Sequence, residues 1–503
     1  GMEPGTARVR LSIDGRGWLS GAGGKPDLLS VGGTQGWKLY GFAVPASKLR
    51  NSKKATLFFY HDKLNQGKLY LDAVSFSPGE AEDIPAGAKP TVLQGATSKP
   101  NLSTFIAGET VNLTFKVSGL MPHGEPMSLN LNVADEHDRS LATDKLEVVG
   151  DDKGEWKTTW QVPSQAPSQQ LGFYRVYAEL SNGIQLQARG SRKAGFLTYA
   201  VVPDPEVRQD YGEAETRFGM QGGFGPWRSE VLSYLGARWI LNGNLDWKKQ
   251  EPKAGTSFDP ETAKKWIPKR KPKWQVYSLP TLFIAPKWAT KAETYSYNTG
   301  ELTPEGEKAW DAYCRKAAKA YMMLQPDREE RIYQITWEPI QPWGYKGSDE
   351  ALVRIYEIAY AAIHETDSKA AVAGPTRGLD KNEVHRTTRL LKLGLGKYLD
   401  IYSVHPYFST KPEKEGMPSQ LVKMREALEL HTGKTLPMIG TEQGGSTHEN
   451  PDEDLLQAQT LIRQNLITLG EGYRFNMGYF IVDYRLAGQK GYGYYYNLMD
   501  GIP

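Results

Sequence analysis

Residues 331–343 read RIYQITWEPIQPW. Ile332, Tyr333, Ile335 and Trp337 make a short, bulky, β-prone run. Glu338-Pro339 stops it, because proline cannot donate to a sheet ladder and restricts the residue before it. Upstream, EKAWDAYCRKAAKAYMML (307–324) places Trp310, Tyr313, Cys314, Ala317 and Tyr321 on one helical face. A long amphipathic stretch feeding a short apolar one is the repeating unit of the second half of the chain. Further strands are expected near RFGMQGG (217–223), ARWILNG (237–243), WQVYSLPTLF (274–283), AAVAGPT (370–376), LDIYSVHPY (399–407), LPMIGTEQ (436–443) and MGYFIVDY (477–484). Thr303-Pro304 and Asp259-Pro260 each put a capping oxygen before a first-turn proline. In residues 452–470, Leu455, Ala458, Ile462, Leu466 and Leu469 make one apolar stripe ended by a glycine. Eight strands alternating with helices over 210–503 predict a (β/α)8 TIM barrel. The remaining RLAGQKGYGYYYNLMDGIP (485–503) does not read as the helix that normally covers strand eight. The expectation is that the native polypeptide continues, or that another element fills that place.

The 503 residues call for more than one domain. Residues 1–82 are glycine-rich, with β-like runs at 37–45, 55–62 and 68–77, and predict a small β-sandwich. KLYLDAVSFS (68–77) resembles the closing strand of jelly-roll carbohydrate-binding modules, which implies a jelly-roll-like module of that kind. After a linker of prolines and glycines, residues 90–203 hold strands at immunoglobulin-like spacing without a cysteine pair. The fold class is therefore multidomain: two β-sandwich modules, then the barrel.

A net charge of +3 over this length leaves no basic footprint for nucleic acid. The densest positive run, WIPKRKPKW (266–274), reads as a solvated helix end. No apolar run approaches the roughly 18 residues of a membrane span. No signal peptide is visible, and Gly1-Met2 reads as a cloning junction. The single cysteine, Cys314, reads as a buried thiol.

In this fold the chemistry gathers at the C-terminal ends of the strands. Strand four ends in Trp337-Glu338, strand six in His405-Pro406-Tyr407, and strand seven in Thr441-Glu442-Gln443. Strand two runs into Asn242, Asn244, Asp246 and Trp247, and strand eight ends near Asp483. Two glutamates on strands four and seven can flank one bond. Trp227, Trp247, Trp288 and Trp343 sit in strand-to-helix loops, where aromatic rings suit the apolar faces of sugars. Glu251 reads as a brace for the loop after strand two. No spacing of histidines and acids resembles a metal site, so neither metal nor cofactor is expected.

The Glu-Pro at strand four, the His-x-Tyr at strand six and the glutamate after strand seven resemble the clan A glycoside hydrolases. LDWKKQEPKAGTSFD (245–259) resembles the corresponding loop of glycoside hydrolase family 39 and its relatives. The resemblance implies a retaining enzyme with Glu338 as acid/base and Glu442 as nucleophile. Tyr407 would keep Glu442 ionised and aimed, and His405 would position the network. Burial between Trp337 and Trp343 would hold Glu338 protonated at neutral pH. Substrate contacts are expected from Trp337, Trp343, Asn242, Asn244, Asp246, Trp247, Trp288, Gln443 and Asp483. The chain departs from the clan pattern where Trp337 replaces the asparagine that binds the sugar 2-hydroxyl.

The expected partner is a β-linked poly- or oligosaccharide, cleaved endo-wise, with no nucleic acid and no membrane; the place of action is outside the cell, because polysaccharides lie there. The alternatives are an exo-acting β-glycosidase or β-xylosidase-like enzyme, a non-catalytic sugar-binding protein on a decayed barrel, and a barrel of unrelated chemistry.

Overall fold

In a computed structural model the chain is described at residues 7–13, 29–31, 55–61, 91–99, 103–163, 170–187, 195–205, 216–221, 232, 234–266, 276–291, 300–339, 344–408, 411–445, 451–482 and 493–495. The N-terminal segment contributes β1 (Ala7–Ile13), β2 (Leu29–Val31) and β3 (Ala55–His61), an antiparallel sheet in the order 2-1-3. The runs expected at 37–45 and 68–77 lie outside the described residues.

Next come β4 (Val92–Thr97), β5 (Thr104–Ile106), β6 (Asn112–Ser118), β7 (Met127–Ala134), β8 (Ser140–Val148), β9 (Glu155–Gln161), β10 (Gly172–Leu180) and β11 (Phe196–Val202). They form two sheets, ordered 4-6-9 and 5-11-10-7-8, antiparallel except for the β5–β11 pair. Strict alternation puts Leu113, Phe115 and Val117 of β6 on one face, and Leu129, Leu131 and Val133 of β7 share their core.

The barrel strands are β12 (Phe218–Met220), β13 (Trp239–Asn242), β14 (Tyr277–Pro280), β15 (Arg331–Gln334), β16 (Ala370–Arg377), β17 (Ile401–Val404), β18 (Met438–Gln443) and β19 (Tyr473–Gly478). All pair in parallel, in the order 14-13-12-19-18-17-16-15. The seam between β14 and β15 is held by the Thr281–Gln334 bridge and by the Leu282 and Phe283 N–H groups, which donate to the carbonyls of Gln334 and Ile335. Helices α1 (Pro304–Leu324), α2 (Asp349–Thr366), α3 (Lys381–Lys392), α4 (Met417–Thr432) and α5 (Pro451–Gly470) follow β14 to β18 in turn. Thr303 caps α1 ahead of Pro304, and Ser348 caps α2.

Inside the barrel, Trp239, Ile332, Ile401, Ile439, Phe475 and Met477 form an apolar layer. A polar rung lies beyond it. Gln334 donates to Thr281 and accepts from Ser403, which hydrogen-bonds Thr441 and Thr376. This rung spans strands and leaves little freedom to the strand ends above it.

Two expectations are corrected. Strand eight is Tyr473–Gly478, not 477–484, because Phe475 and Met477 supply its inward face and Phe475 stacks on Trp239 at 4.0 Å. Phe480–Val482 instead pairs with Gly493–Tyr495, so Asp483 does not end the eighth barrel strand; Asp483 itself lies outside the described residues.

The middle of the apolar stripe of α5 also faces the other way, although Leu469 at its end packs against the core. Ile462 and Leu466 are 60% and 68% exposed, whereas Thr460, Gln464 and Thr468 are buried. The inward partners are polar: Asn476 of β19 donates to Thr468, and Gln464 donates to the Phe408 carbonyl. Leu466→Gln should therefore change stability by less than about 0.5 kcal/mol. Leu428→Ala, at a buried position of α4, should cost about 2–5 kcal/mol. Thermal melts of the two variants check the contrast, and an equal loss in both would refute the outward stripe.

Candidate active site

Beyond β15 the chain continues through Ile335 and Thr336 and then turns. Thr336 is fully committed: its hydroxyl meets the Tyr356 hydroxyl at 2.7 Å, and its carbonyl accepts from Thr376. Two residues on, Glu338 has φ +41°, a left-handed conformation that a non-glycine residue adopts at a cost of about 1 kcal/mol. The following loop folds back so that Tyr345 N–H donates to the Pro339 carbonyl. Gly344 permits this, since a Cβ there would come within 2.3 Å of the Glu338 carbonyl oxygen. The Glu338 side chain stays partly accessible, at 17% exposure.

Alternation along β17 sends Ile401, Ser403 and then His405 toward the barrel axis. The buried His405 ring sets Nδ1 2.8 Å from Glu338 Oε1 and 3.8 Å from Glu442 Oε2. Trp337 meets the His405 ring edge-on at 4.5 Å between centroids. On β18, Glu442 is buried, and both its oxygens receive hydrogen bonds: Tyr407 Oη–H donates to Oε1 at 2.6 Å, and Gln221 Nε2–H to Oε2 at 2.7 Å. A carboxylate oxygen of Glu338, one of Glu442 and a ring nitrogen of His405 lie within 4.8 Å of one another.

Burial pushes the Glu442 carboxyl above the ordinary glutamate range, and the neighbouring Glu338 adds to this. His405, Tyr407 and Gln221 oppose the rise without cancelling it. The Tyr407 phenol is driven far up, first by burial and then by the Glu442 charge, so it remains a proton donor at every working pH.

Among the described residues, His405 Nε2 is buried without a hydrogen-bond partner. A hydrogen on that atom would be an unsatisfied buried donor, worth about 1–3 kcal/mol, so the ring hydrogen belongs on Nδ1, donated to Glu338. The same three residues are the one His/Asp/Glu group among the described residues whose ligand atoms converge. A zinc ion bonded at about 2.0–2.1 Å would need its donors roughly 3.3 Å apart and a bare Nδ1. Pair separations of 2.8 and 3.8 Å and a hydrogen on Nδ1 fit a hydrogen-bonded chain better.

The other expected contacts divide. Trp337 is half-buried beside His405, and Gln443 is buried at the end of β18 with Oε1 unpartnered. Asn242 ends β13 in register with Pro280. Trp247, expected to face sugar, is instead wholly buried against Trp310, Tyr313 and Trp288, and its indole N–H donates to Glu251. A ring enclosed on its faces has none left for a ligand. Trp288 packs on the same cluster and donates to the Glu251 carbonyl. Glu251 also accepts from Phe258 N–H and Lys316, so it braces this loop.

Asp246 caps the one-turn helix Trp247–Gln250, and burial lifts its carboxyl to about 7. Asn244 accepts from Lys249 within the same loop. Trp227 and Trp343 lie outside the described residues, as Asp483 does. Gln221 was not anticipated. The one available signal was a polar residue closing strand one, two positions after a glycine.

No protein-family model and no curated protein matches the sequence. Among solved structures, the chain is similar to Bacteroides uniformis β-glucuronidase 2 covalently bound to cyclophellitol-6-carboxylate aziridine, at 13% identity and TM-score 0.36. The match covers 82% of this chain and 49% of that one, so this chain spans about half that protein's length. It is also similar to a GH2 β-galacturonidase from Eisenbergiella tayi bound to galacturonate, at 11% identity and TM-score 0.38, covering 99% and 85%. A monomeric β-xylosidase from Caulobacter crescentus CB15 is similar at 16% identity and TM-score 0.43, covering 57% and 65%.

Proposed function

We propose that this chain is a retaining glycoside hydrolase acting on β-linked oligo- or polysaccharides. The observation that carries the reading is the pair of carboxylates, Glu338 and Glu442, with oxygens within 4.8 Å across the C-terminal mouth of the barrel. Retention needs two carboxyl groups roughly 5–5.5 Å apart, too close for a water to attack between them and close enough for a covalent intermediate.

Glu442 is the nucleophile. Its carboxylate attacks the anomeric carbon as the bond to the leaving oxygen breaks, and Glu338 gives that oxygen its proton. The product of this step is an α-linked glycosyl ester. Glu338, now a carboxylate, takes a proton from water; the water oxygen attacks the anomeric carbon, the ester bond breaks, and the β-configured sugar leaves. Because His405 Nδ1–H occupies Oε1 of Glu338, the acid proton belongs on Oε2. Tyr407 stabilises the charge on Glu442 before attack and after release.

The two-sheet segment, with its 4-6-9 and 5-11-10-7-8 strand orders, supports an immunoglobulin-like spacer over 90–203. Residues 1–82 are assigned to a sugar-binding sandwich and 210–503 to catalysis. Among the described residues, no helix is long and apolar enough to cross a membrane. The proposed place of action is the periplasm, the cell surface or the medium, where such glycans lie.

The test is incubation with β-glucans, xylans, mannans, galactans and aryl β-glycosides, with the anomer of the first-formed product read by NMR. A β product supports the assignment, and an α product refutes the double displacement. Chain-length analysis separates endo from exo cleavage; burial of Trp247 removes one aromatic surface that favoured long polymers. Trp337, standing where the clan carries asparagine, favours a second reading as a sugar-binding protein. Binding without bond cleavage on every glycan would establish it.

A further inference from the structure

Among the described residues, Glu442 has no arginine or lysine as a hydrogen-bonding partner; a neutral amide takes that place. Gln221 closes strand one, on the face where Gly219 abuts Trp239 and Met477, and is 6% exposed. Its backbone N–H is bound to the Gly478 carbonyl, so the side chain starts from a fixed point on the β12–β19 pair. From there Nε2 reaches over β19 to Glu442 Oε2 at 2.7 Å, with the Thr441 carbonyl at 3.4 Å.

We infer that Gln221 is a positioning residue that sets the orientation and the titration range of Glu442. This rests on the hydrolase reading for its kinetic consequence but not for its electrostatic one. Tyr407 grips Oε1 from strand six and Gln221 grips Oε2 from strand one, so two donors on opposite sides define the plane of the carboxylate. An oxygen must present a lone pair to the anomeric carbon along one direction, and rotation about the last side-chain bond would spoil that aim.

A neutral donor stabilises the carboxylate less than a cation would. Burial therefore still dominates, and Glu442 stays harder to ionise than an ordinary glutamate. On this account Gln221 restrains the upward displacement without abolishing it, and so places the acidic limb of the activity profile.

Gln221→Met keeps the shape and deletes the amide; Gln221→Glu keeps the shape and adds a carboxyl at hydrogen-bonding distance from Glu442. With an aryl β-glycoside, Gln221→Met should lower kcat by roughly 10- to 100-fold, the size of one hydrogen bond to a charged group. KM should change little. The acidic limb of kcat/KM should move up by roughly half a pH unit or more. Gln221→Glu should move it further, because the two carboxyls would then share a proton.

If the wild-type protein hydrolyses nothing, the inference is read from stability alone. The pH at which the Tm difference between wild type and Glu442→Gln stops growing should move upward, and the difference above it should widen, when Gln221→Met is added to both, whereas its onset near the unfolded value stays put. An unmoved acidic limb with kcat within twofold of wild type, or a Tm difference whose upper end and size are unchanged, would overturn it.

Discussion

Glu442→Gln should abolish turnover and raise the melting temperature at neutral pH. Removing the proposed nucleophile leaves no covalent path, so activity should fall by roughly four orders of magnitude or more. The stability effect has the opposite sign. Burial raises the Glu442 carboxyl above its ordinary value of 4.5 in the folded chain. Above both values the folded protein holds a charge it would prefer to neutralise, which costs stability. Below 4.5 the group is protonated in folded and unfolded chains alike, and the cost vanishes. Glutamine carries no charge at either pH. The variant should melt a few degrees higher at pH 7, with the gap closing as the pH falls through the raised value toward 4.5. Calorimetric scans across pH 4 to 8 measure it. A variant less stable than wild type at pH 7 would mean that Tyr407, His405 and Gln221 outweigh burial.

Glu338→Gln should behave differently. Loss of the proposed proton donor should slow glycosides with poor leaving groups by roughly 10²- to 10⁴-fold. Aryl glycosides with good leaving groups still form the glycosyl ester, which then accumulates because water lacks its base. Added azide needs no base, enters beside the neutral amide that no longer repels an anion, and attacks from the β face. A β-glycosyl azide and partial recovery of rate are the expected result. No rescue, or an α-azide, would reverse or remove the role assigned to Glu338. His405→Ala combined with this variant should add little, because His405 acts on the proton that glutamine has already lost.

Much of the barrel was legible because its signals are local. Period-two and period-3.6 patterns, Thr303-Pro304 as a cap, and Glu338-Pro339 as a strand stop each lie within a few residues. Seven of the eight barrel strands overlap the expected runs over most of their observed length. The eighth was displaced because GYFIV is as β-prone as YRFNM, and only the fit of Phe475 against Trp239 chooses between them. The α5 stripe was legible as a pattern but not in its direction. Polarity along a helix says that two faces differ; that the inner face meets Asn476 and the Phe408 carbonyl depends on residues of β19 and of the loop after β17.

The site divides in the same way. That two glutamates close strands four and seven, and that a histidine and a tyrosine close strand six, follows from chain order and the geometry of a barrel mouth. Which loop tryptophan is spent on packing does not. Trp247 and Trp288 share a loop-rich context with any sugar-facing ring; Trp247 is buried by Trp310 and Tyr313, on a helix about sixty residues away in the chain, and Trp288 packs against Trp247 in turn. The partner of Glu442 on strand one escaped for the same reason: Gln221 and Glu442 are 221 positions apart, and closure of the barrel is what brings them together. Local backbone preference is written in neighbouring residues and can be read there. Burial, hydrogen-bond satisfaction and the ease of ionising a carboxyl are properties of the space around a side chain, and that space is built by parts of the chain that sequence distance does not connect.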